Sequence, residues 1–234
     1  MHKPGKLIVL DGLDGCGKST QFQLLSQRMG QAGIPVLPIS FPDYDHPSSA
    51  LVKLYLNGEI SPHAGDVNAY AASSFYAVDR YASYKRCWEQ PYQQGTTILA
   101  SRYVTSNAIH QMSKLPRQEW DNYLEWLSAY EYDKLELPRP DLVLFLDMPV
   151  SAAQKLLCAR YGGDETKKDI HESDVAYMER CRDAALYAAQ QQGWQVIPCS
   201  RDAQPLTVEE IGDRVWKVVC EQTDVTVSSD STGG

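Results

Sequence analysis

The chain has 234 residues and 26.2 kDa, with 22 lysines and arginines against 30 aspartates and glutamates, a formal charge of −8 and a pI near 5.1. That acidic balance argues against nonspecific nucleic-acid binding and against docking on an anionic membrane, because both select basic patches. A composition of 43% apolar and 22% charged residues is that of a globular protein, neither disordered nor fibrous.

No apolar run approaches the roughly 18 residues of a membrane span, and the opening Met-His-Lys-Pro-Gly-Lys lacks an apolar signal core. The six cysteines, at 16, 87, 158, 181, 199 and 220, are spread singly without a C-x-x-C pair. Reduced thiols in a cytoplasmic protein fit this scatter better than a disulfide frame or a zinc site.

In chain order, Leu7 to Leu10 is a short run apolar on both faces, as a buried parallel strand reads. It runs into Gly12-Leu-Asp-Gly-Cys-Gly-Lys-Ser19, a match to G-x-x-x-x-G-K-[ST]. Gly12, Gly15 and Gly17 let successive backbone N–H groups converge on a phosphate, and the helix expected from Ser19 to Met29 adds its positive dipole end. Lys18 can span the β- and γ-phosphates of ATP, the Ser19 hydroxyl is placed to ligate Mg²⁺, and Thr20 holds the helix start or an α-phosphate. Cys16 reads as a small filler in this loop, ahead of the alternative of a thiol acidified by the helix N-terminus.

A second strand is expected at Val36 to Ile39, followed by a long helical stretch from Val67 to Gln94. Within it Tyr76 and Arg80 are four apart and share a face. An aromatic ring with a guanidinium one turn along reads from spacing alone first as an ordinary aromatic–arginine contact, with a nucleobase clamp as the alternative. Arg102 follows a third strand, Thr97 to Leu99, at the carboxyl edge where such sheets bind ligands. A bidentate cation there suits a monophosphate, with a surface salt bridge as the alternative.

The remaining elements are an amphipathic stretch from Leu115 to Leu137, a strand from Leu142 to Leu146, helices from Ser151 to Tyr161 and Ser173 to Gln192, a strand from Gln195 to Ile197 and a helix from Val208 to Glu221. Gly193 is placed as a C-cap glycine. Short buried strands separated by helices indicate an α/β fold, with one domain over residues 1–222 and a disordered polar tail over 223–234.

In sum, these residues resemble the thymidylate kinase family. The stretch Leu10-Asp-Gly-Leu-Asp-Gly-Cys-Gly-Lys-Ser-Thr20 is similar to its opening, Phe41-Pro42 with Tyr44 to its next element, and Tyr76 with Arg80 to its aromatic-x-x-x-Arg base site. Ser101-Arg-Tyr-Val-Thr-Ser-Asn107 resembles its Asp-Arg-Tyr element, Arg139-Pro-Asp-Leu-Val-Leu-Phe-Leu-Asp147 its fourth strand, and Asp169-Ile-His-Glu172 the segment closing its lid.

The resemblance implies a P-loop NTPase-type five-stranded parallel sheet flanked by helices on both faces, and a single nucleoside monophosphate kinase domain with a lid near 160–172. It also implies Mg²⁺-dependent transfer of the ATP γ-phosphoryl group to dTMP, giving dTDP and ADP, in a homodimer with no nucleic-acid or membrane partner. By the same resemblance Asp14 lies near the sugar 3′-hydroxyl and the metal, Phe41 lines the sugar, Tyr76 stacks on thymine and Arg80 hydrogen-bonds a base carbonyl. Arg102 holds the acceptor phosphate, and Ser106 and Asn107 border the base unless they cap a helix. Glu172 approaches the metal's water shell beside Ser19 and Asp14.

Three departures qualify the resemblance. Ser101 stands where the family usually has Asp, which points to retained but reduced activity, with a deoxynucleoside kinase or a weakened nucleotide-binding homologue as alternatives. Asp11, Asp14 and Glu172 are the carboxylates left to serve the metal. Gly15 stands where some members carry an arginine, so the catalytic cation is expected from the lid, as Arg160 or Lys167, hinged on Gly162 and Gly163. His110 takes a position near the sugar 2′ carbon or is a plain helix histidine, and no His or Glu is expected beside Arg102.

Overall fold

The computed structural model describes residues 3–160, 175–202 and 204–223, and of Ala64, Ala159 and Arg160 the backbone alone. The expected lid segment beyond 160, with Gly162, Gly163, Lys167, His171 and Glu172, the Arg160 side chain, and the tail from 224 lie outside the described residues. Thr223, assigned to the tail from sequence, instead closes the last helix, its N–H donating to the Val219 carbonyl at 3.0 Å.

Five strands, β1 (Leu7–Gly12), β2 (Val36–Ser40), β3 (Thr97–Ser101), β4 (Leu142–Asp147) and β5 (Gln195–Pro198), form one parallel sheet in the order β2-β3-β1-β4-β5. β1 is buried along its whole length, so its apolar run has no polar alternation. The chain leaves β1 in one direction along the sheet and returns from β3 to β4 and from β4 to β5 in the other.

Right-handed crossovers then place α1 (Lys18–Gln31) on one face and the helices of the later crossovers, α5 (Thr105–His110) and α8 (Val175–Gln192), on the opposite one. α9 (Val208–Gln222) packs beside α1. Its start is a capping box: Thr207 Oγ1 accepts from the Glu210 N–H at 3.2 Å, and Glu210 Oε2 accepts from the Thr207 N–H at 2.9 Å. The reversal of direction lies beside β1, so the loop leaving β1 opens at the crevice between two halves of the sheet.

The long helical stretches of the sequence are interrupted. α3 (Ala69–Ser83), capped by the Asn68 side chain on the Ala71 N–H, passes through a wider π turn at Tyr84–Trp88 into α4 (Glu89–Gln93). The expected helix from Leu115 to Leu137 is α6 (Trp120–Ser128) followed by a second π turn, Ala129–Lys134, which brings Glu131 into full burial. α2 (Ala50–Leu56) and a small hairpin, β6 (Ser200–Arg201) with β7 (Gln204–Pro205), were not foreseen; both are too short to carry a periodic pattern. α7 (Val150–Arg160) follows β4 as expected.

Asp11 ties the first strand to α5. Its buried carboxylate accepts from the Gly12 N–H at 2.9 Å and from the Thr105 and Ser106 hydroxyls, each at 2.7 Å. These bonds set the start of α5, and with it the placement of Asn107, His110 and Gln111, against the end of β1.

Candidate active site

The phosphate loop takes the conformation its glycines allow. Gly15 and Gly17 have φ of +79° and +83°, in the left-handed region, and α1 begins at Lys18, one residue earlier than expected. A Cβ on Gly15 would lie 2.7 Å from the Ala153 carbonyl of α7, so this loop has no room for a side chain there and the site's further cations must come from elsewhere. Cys16 is fully buried, and burial raises its thiol above the usual value against the pull of Lys18, so it is the filler rather than an acidified nucleophile.

Residues Leu13 to Gln21 line one side of a cavity of about 480 Å³. Leu156 and Leu157 of α7, Pro205 of β7 with Leu206 after it, and Val208 and Ile211 of α9 form apolar walls. That wall was invisible in sequence because three separate elements build it.

A second cavity of about 300 Å³ opens on the other side of the loop. It contains Phe41, Tyr76, Arg80, Arg102, Ser106 and Asn107, all singled out from sequence, together with Ser101, Tyr44 and His110. Asp14, Lys18 and Ser19 line both cavities and mark where they meet. Lys18 Nζ donates to the Gly12 carbonyl at 3.1 Å and lies 3.9 Å from Asp14. Arg102 donates to Asp14 and, at 3.1 Å, to His110 Nε2; a guanidinium can only donate, so that imidazole nitrogen is the acceptor. A histidine beside Arg102 corrects the sequence reading: the six residues of α5, nearly two turns, bring His110 at its end back to Arg102, which follows β3.

Arg102 has φ of +65°, a left-handed conformation uncommon without glycine, held by its N–H bond to the Leu10 carbonyl at 3.1 Å. Burial would lower its pKa, but Asp14 and then Asp11 outweigh that and hold the charge. Phe41 is buried against Tyr103 at 5.9 Å, and its loop is fixed by Asp79, whose carboxylate accepts from the Asp43 N–H at 2.8 Å and the Ser48 hydroxyl at 2.5 Å. Tyr76 lines the same cavity and is met edge-on by Tyr55 at 6.4 Å and 88°.

Arg80 is buried and anchored by an ion pair, with three of its five N–H groups taken up inside the protein. Its Nε and one terminal nitrogen donate to Glu131 at 2.7 and 2.5 Å, and the other to the Tyr103 carbonyl at 3.3 Å. Asn107 Nδ2 donates to the same carboxylate at 3.0 Å and to the Ser73 carbonyl at 3.2 Å. Ser106 and Asn107 lie inside α5 with side chains committed to Asp11 and Glu131, so neither caps a helix.

Sequence reasoning missed Glu131, Gln111 and Tyr177. Gln111 lines the second cavity, and its Oε1 is buried without a hydrogen-bond partner. Tyr177 of α8 donates to the His110 carbonyl at 3.2 Å and stacks on its ring. None carries a local signal; a fully buried glutamate at the end of an amphipathic stretch is the nearest to one.

Among the described residues no three His, Cys, Asp or Glu side chains converge as an all-protein metal cage requires. Mg²⁺ asks for less, one or two side-chain oxygens beside phosphate oxygens and water, and Ser19 with Asp14 at the junction of the cavities fits that donor set. Asp11 does not: its carboxylate is buried and already accepts three hydrogen bonds.

A phosphate loop on a parallel sheet, flanked by two cavities that share its Lys and Ser, defines a P-loop phosphotransferase. The family model for thymidylate kinase matches residues 10–211, and the chain belongs to that family. It is 30% identical over 192 residues to the thymidylate kinase of Mycobacterium tuberculosis, covering 80% of this chain and 87% of that protein. It is 24% identical over 212 residues to a probable thymidylate kinase of Pyrobaculum aerophilum, covering 91% and 97%. The structure of thymidylate kinase from Candida albicans superposes with a TM-score of 0.72 at 21% identity, covering 99% of this chain and 98% of that one, and shares the fold.

Proposed function

We propose that this chain transfers the γ-phosphoryl group of ATP to the phosphate of dTMP, giving dTDP and ADP. The observation that carries the reading is that Asp14, Lys18 and Ser19 line both cavities, so a donor phosphate chain on one side and an acceptor phosphate on the other meet at one lysine. An acceptor phosphate near Arg102 is already anionic near neutral pH, so its oxygen attacks phosphorus in line without a general base while the bond to the ADP oxygen breaks. Lys18, pre-positioned by Gly12, follows the charge across. Arg102 exchanges part of its contact with Asp14 for the acceptor phosphate. Bound Mg²⁺, held by Ser19 and Asp14, supplies charge neutralisation at the phosphates, with Glu172 and Arg160 as further residues for the lid side.

For the base, Tyr76 supplies the stacking face. Arg80 donates to a ring carbonyl, and Asn107 meets the adjoining ring N–H. Exposed apolar residues on neighbouring helices, Leu51 and Leu54 of α2 with Val78 and Tyr81 of α3, support a homodimer. The singly spread, free cysteines support a cytoplasmic location.

A coupled assay with ATP and Mg²⁺ against dTMP, dUMP, dCMP and thymidine tests the reading. Turnover with dTMP and not thymidine is the expected result. Thymidine as the better acceptor would make the chain a nucleoside kinase, and tight dTMP binding without dTDP formation would make it a binding module.

A further inference from the structure

We infer that Glu131 is a positioning residue that sets the hydrogen-bond polarity of the acceptor pocket, so that the pocket selects a 4-keto over a 4-amino pyrimidine. The inference rests on the reading of the acceptor as a pyrimidine monophosphate. Glu131 is fully buried in the π turn after α6 and touches no part of the cavity lining except through two residues, Arg80 and Asn107. One of its oxygens accepts from Arg80 Nε, and the other from an Arg80 terminal nitrogen and from Asn107 Nδ2.

Asn107 is thereby oriented. Its Nδ2 has two protons, one on Glu131 and one on the Ser73 carbonyl, so Oδ1 is the atom left for a ligand and the side chain acts as an acceptor. Turning the amide over would set Oδ1 against a carboxylate and a carbonyl, acceptor against acceptor. Arg80 spends three of its five N–H groups on Glu131 and Tyr103, which leaves donors alone to face the cavity.

The pair therefore offers a donor beside an acceptor. A 4-keto pyrimidine presents an acceptor, O4, beside a donor, N3–H, and matches it. A 4-amino pyrimidine presents a donor beside an acceptor and meets like against like at both atoms. Ser73 opposes the amide flip too, but Glu131 is the charged member and the one that also orients Arg80.

The test compares kcat and KM for dTMP and dCMP in the wild type, Glu131→Gln and Glu131→Asp. Glutamine at this position can donate to a flipped Asn107, so the ratio of kcat/KM for dTMP over dCMP should fall about tenfold or more, chiefly through KM. Aspartate keeps two anionic acceptors and should hold the ratio closer to wild type. Equal losses for both substrates in Glu131→Gln, with the ratio unchanged, would reduce Glu131 to a structural ion-pair partner and overturn the inference. A wild-type chain that does not turn over dTMP at all would instead overturn the functional reading beneath it.

Should Glu131→Gln not fold, the orientation is read on the wild type labelled with ¹⁵N-asparagine and saturated with dTMP. Nuclear Overhauser contacts from both Asn107 amide protons to Ser73 and Glu131 are expected; contacts from those protons to the base would refute the assignment.

Discussion

Arg102 donates to Asp14 across the crevice between β3 and the phosphate loop, so the cation that follows β3 and the carboxylate shared by both cavities are paired in the unliganded chain. The same carboxylate lies 3.9 Å from Lys18, which makes Asp14 the counter-charge of both Lys18 and Arg102. Arg102 is held for this role in a left-handed backbone conformation of the kind that costs about 1–3 kcal/mol and that the surrounding structure must impose.

Asp14→Asn should therefore separate binding from catalysis. Removing the counter-charge frees Arg102 and Lys18 for phosphate, so KM for dTMP should stay level or fall, while kcat drops roughly a hundredfold as the metal-side carboxylate is lost. Steady-state kinetics read both; a raised KM at unchanged kcat would contradict the arrangement.

Ser101→Asp should raise kcat with little change in KM for dTMP. Ser101 lines the acceptor cavity, and Asp11, the nearest buried carboxylate, is bound to Gly12, Thr105 and Ser106 and cannot stand in for a missing one. Titrating Mg²⁺ at saturating ATP and dTMP should show the variant reaching half-maximal rate at lower metal. An unchanged or lower kcat would remove Ser101 as the rate-limiting departure.

Gln111→Met exchanges a buried, unpartnered Oε1 for an apolar atom of similar volume. The unliganded protein should stay within about 1 kcal/mol in urea denaturation, since removal of the unsatisfied Oε1 is offset by loss of the amide's hydrogen bond to Tyr55, while KM for dTMP rises several-fold. A gain in stability without loss of affinity would show that the amide does not face the base.

Lys114 gives the chain a pH-dependent term. Burial pulls its ammonium down to about 8 although it donates to the Tyr55 hydroxyl at 2.7 Å and the Val67 carbonyl at 3.2 Å. Below pH 8 folded and unfolded chains both carry the charge and the folded state bears the desolvation penalty. Between 8 and the ordinary 10.5 the unfolded chain binds more protons, so stability from this group rises with pH. Relative to Lys114→Met, which lacks the titration, wild-type stability should improve by about 1–2 kcal/mol from pH 7 to 10, less than the full shift gives because the ammonium is partly solvated.

Much of the scaffold was legible in the residues. Leu7 to Leu10 and Leu142 to Leu146 read as buried strands because both faces are covered, and Gly193 read as a helix stop because its φ of +71° needs no side chain. The short α2 and the β6–β7 hairpin were not legible, nor were the π turns that break the two long stretches, because their geometry answers to packing rather than to period. At the site, Tyr76 and Arg80 were singled out by their shared helix face and Arg102 by its place after β3, and all three line one cavity, whereas Glu131, Gln111, Tyr177 and the contact of His110 with Arg102 were not foreseen.

The phosphate loop is a local object, built within a strand, a glycine turn and the first turn of a helix, and local sequence determines it because backbone conformation and N–H direction depend on neighbours in the chain. The donor and acceptor pattern of the second cavity is not local. Arg80 and Glu131 are 51 residues apart, Asn107 and Glu131 are 24 apart, and Arg102 and Asp14 are 88 apart. Which of them donate, accept or cancel one another is decided when the crossovers bring them to one crevice, since a hydrogen-bond partner is chosen by proximity in space and leaves no mark on the spacing of the sequence.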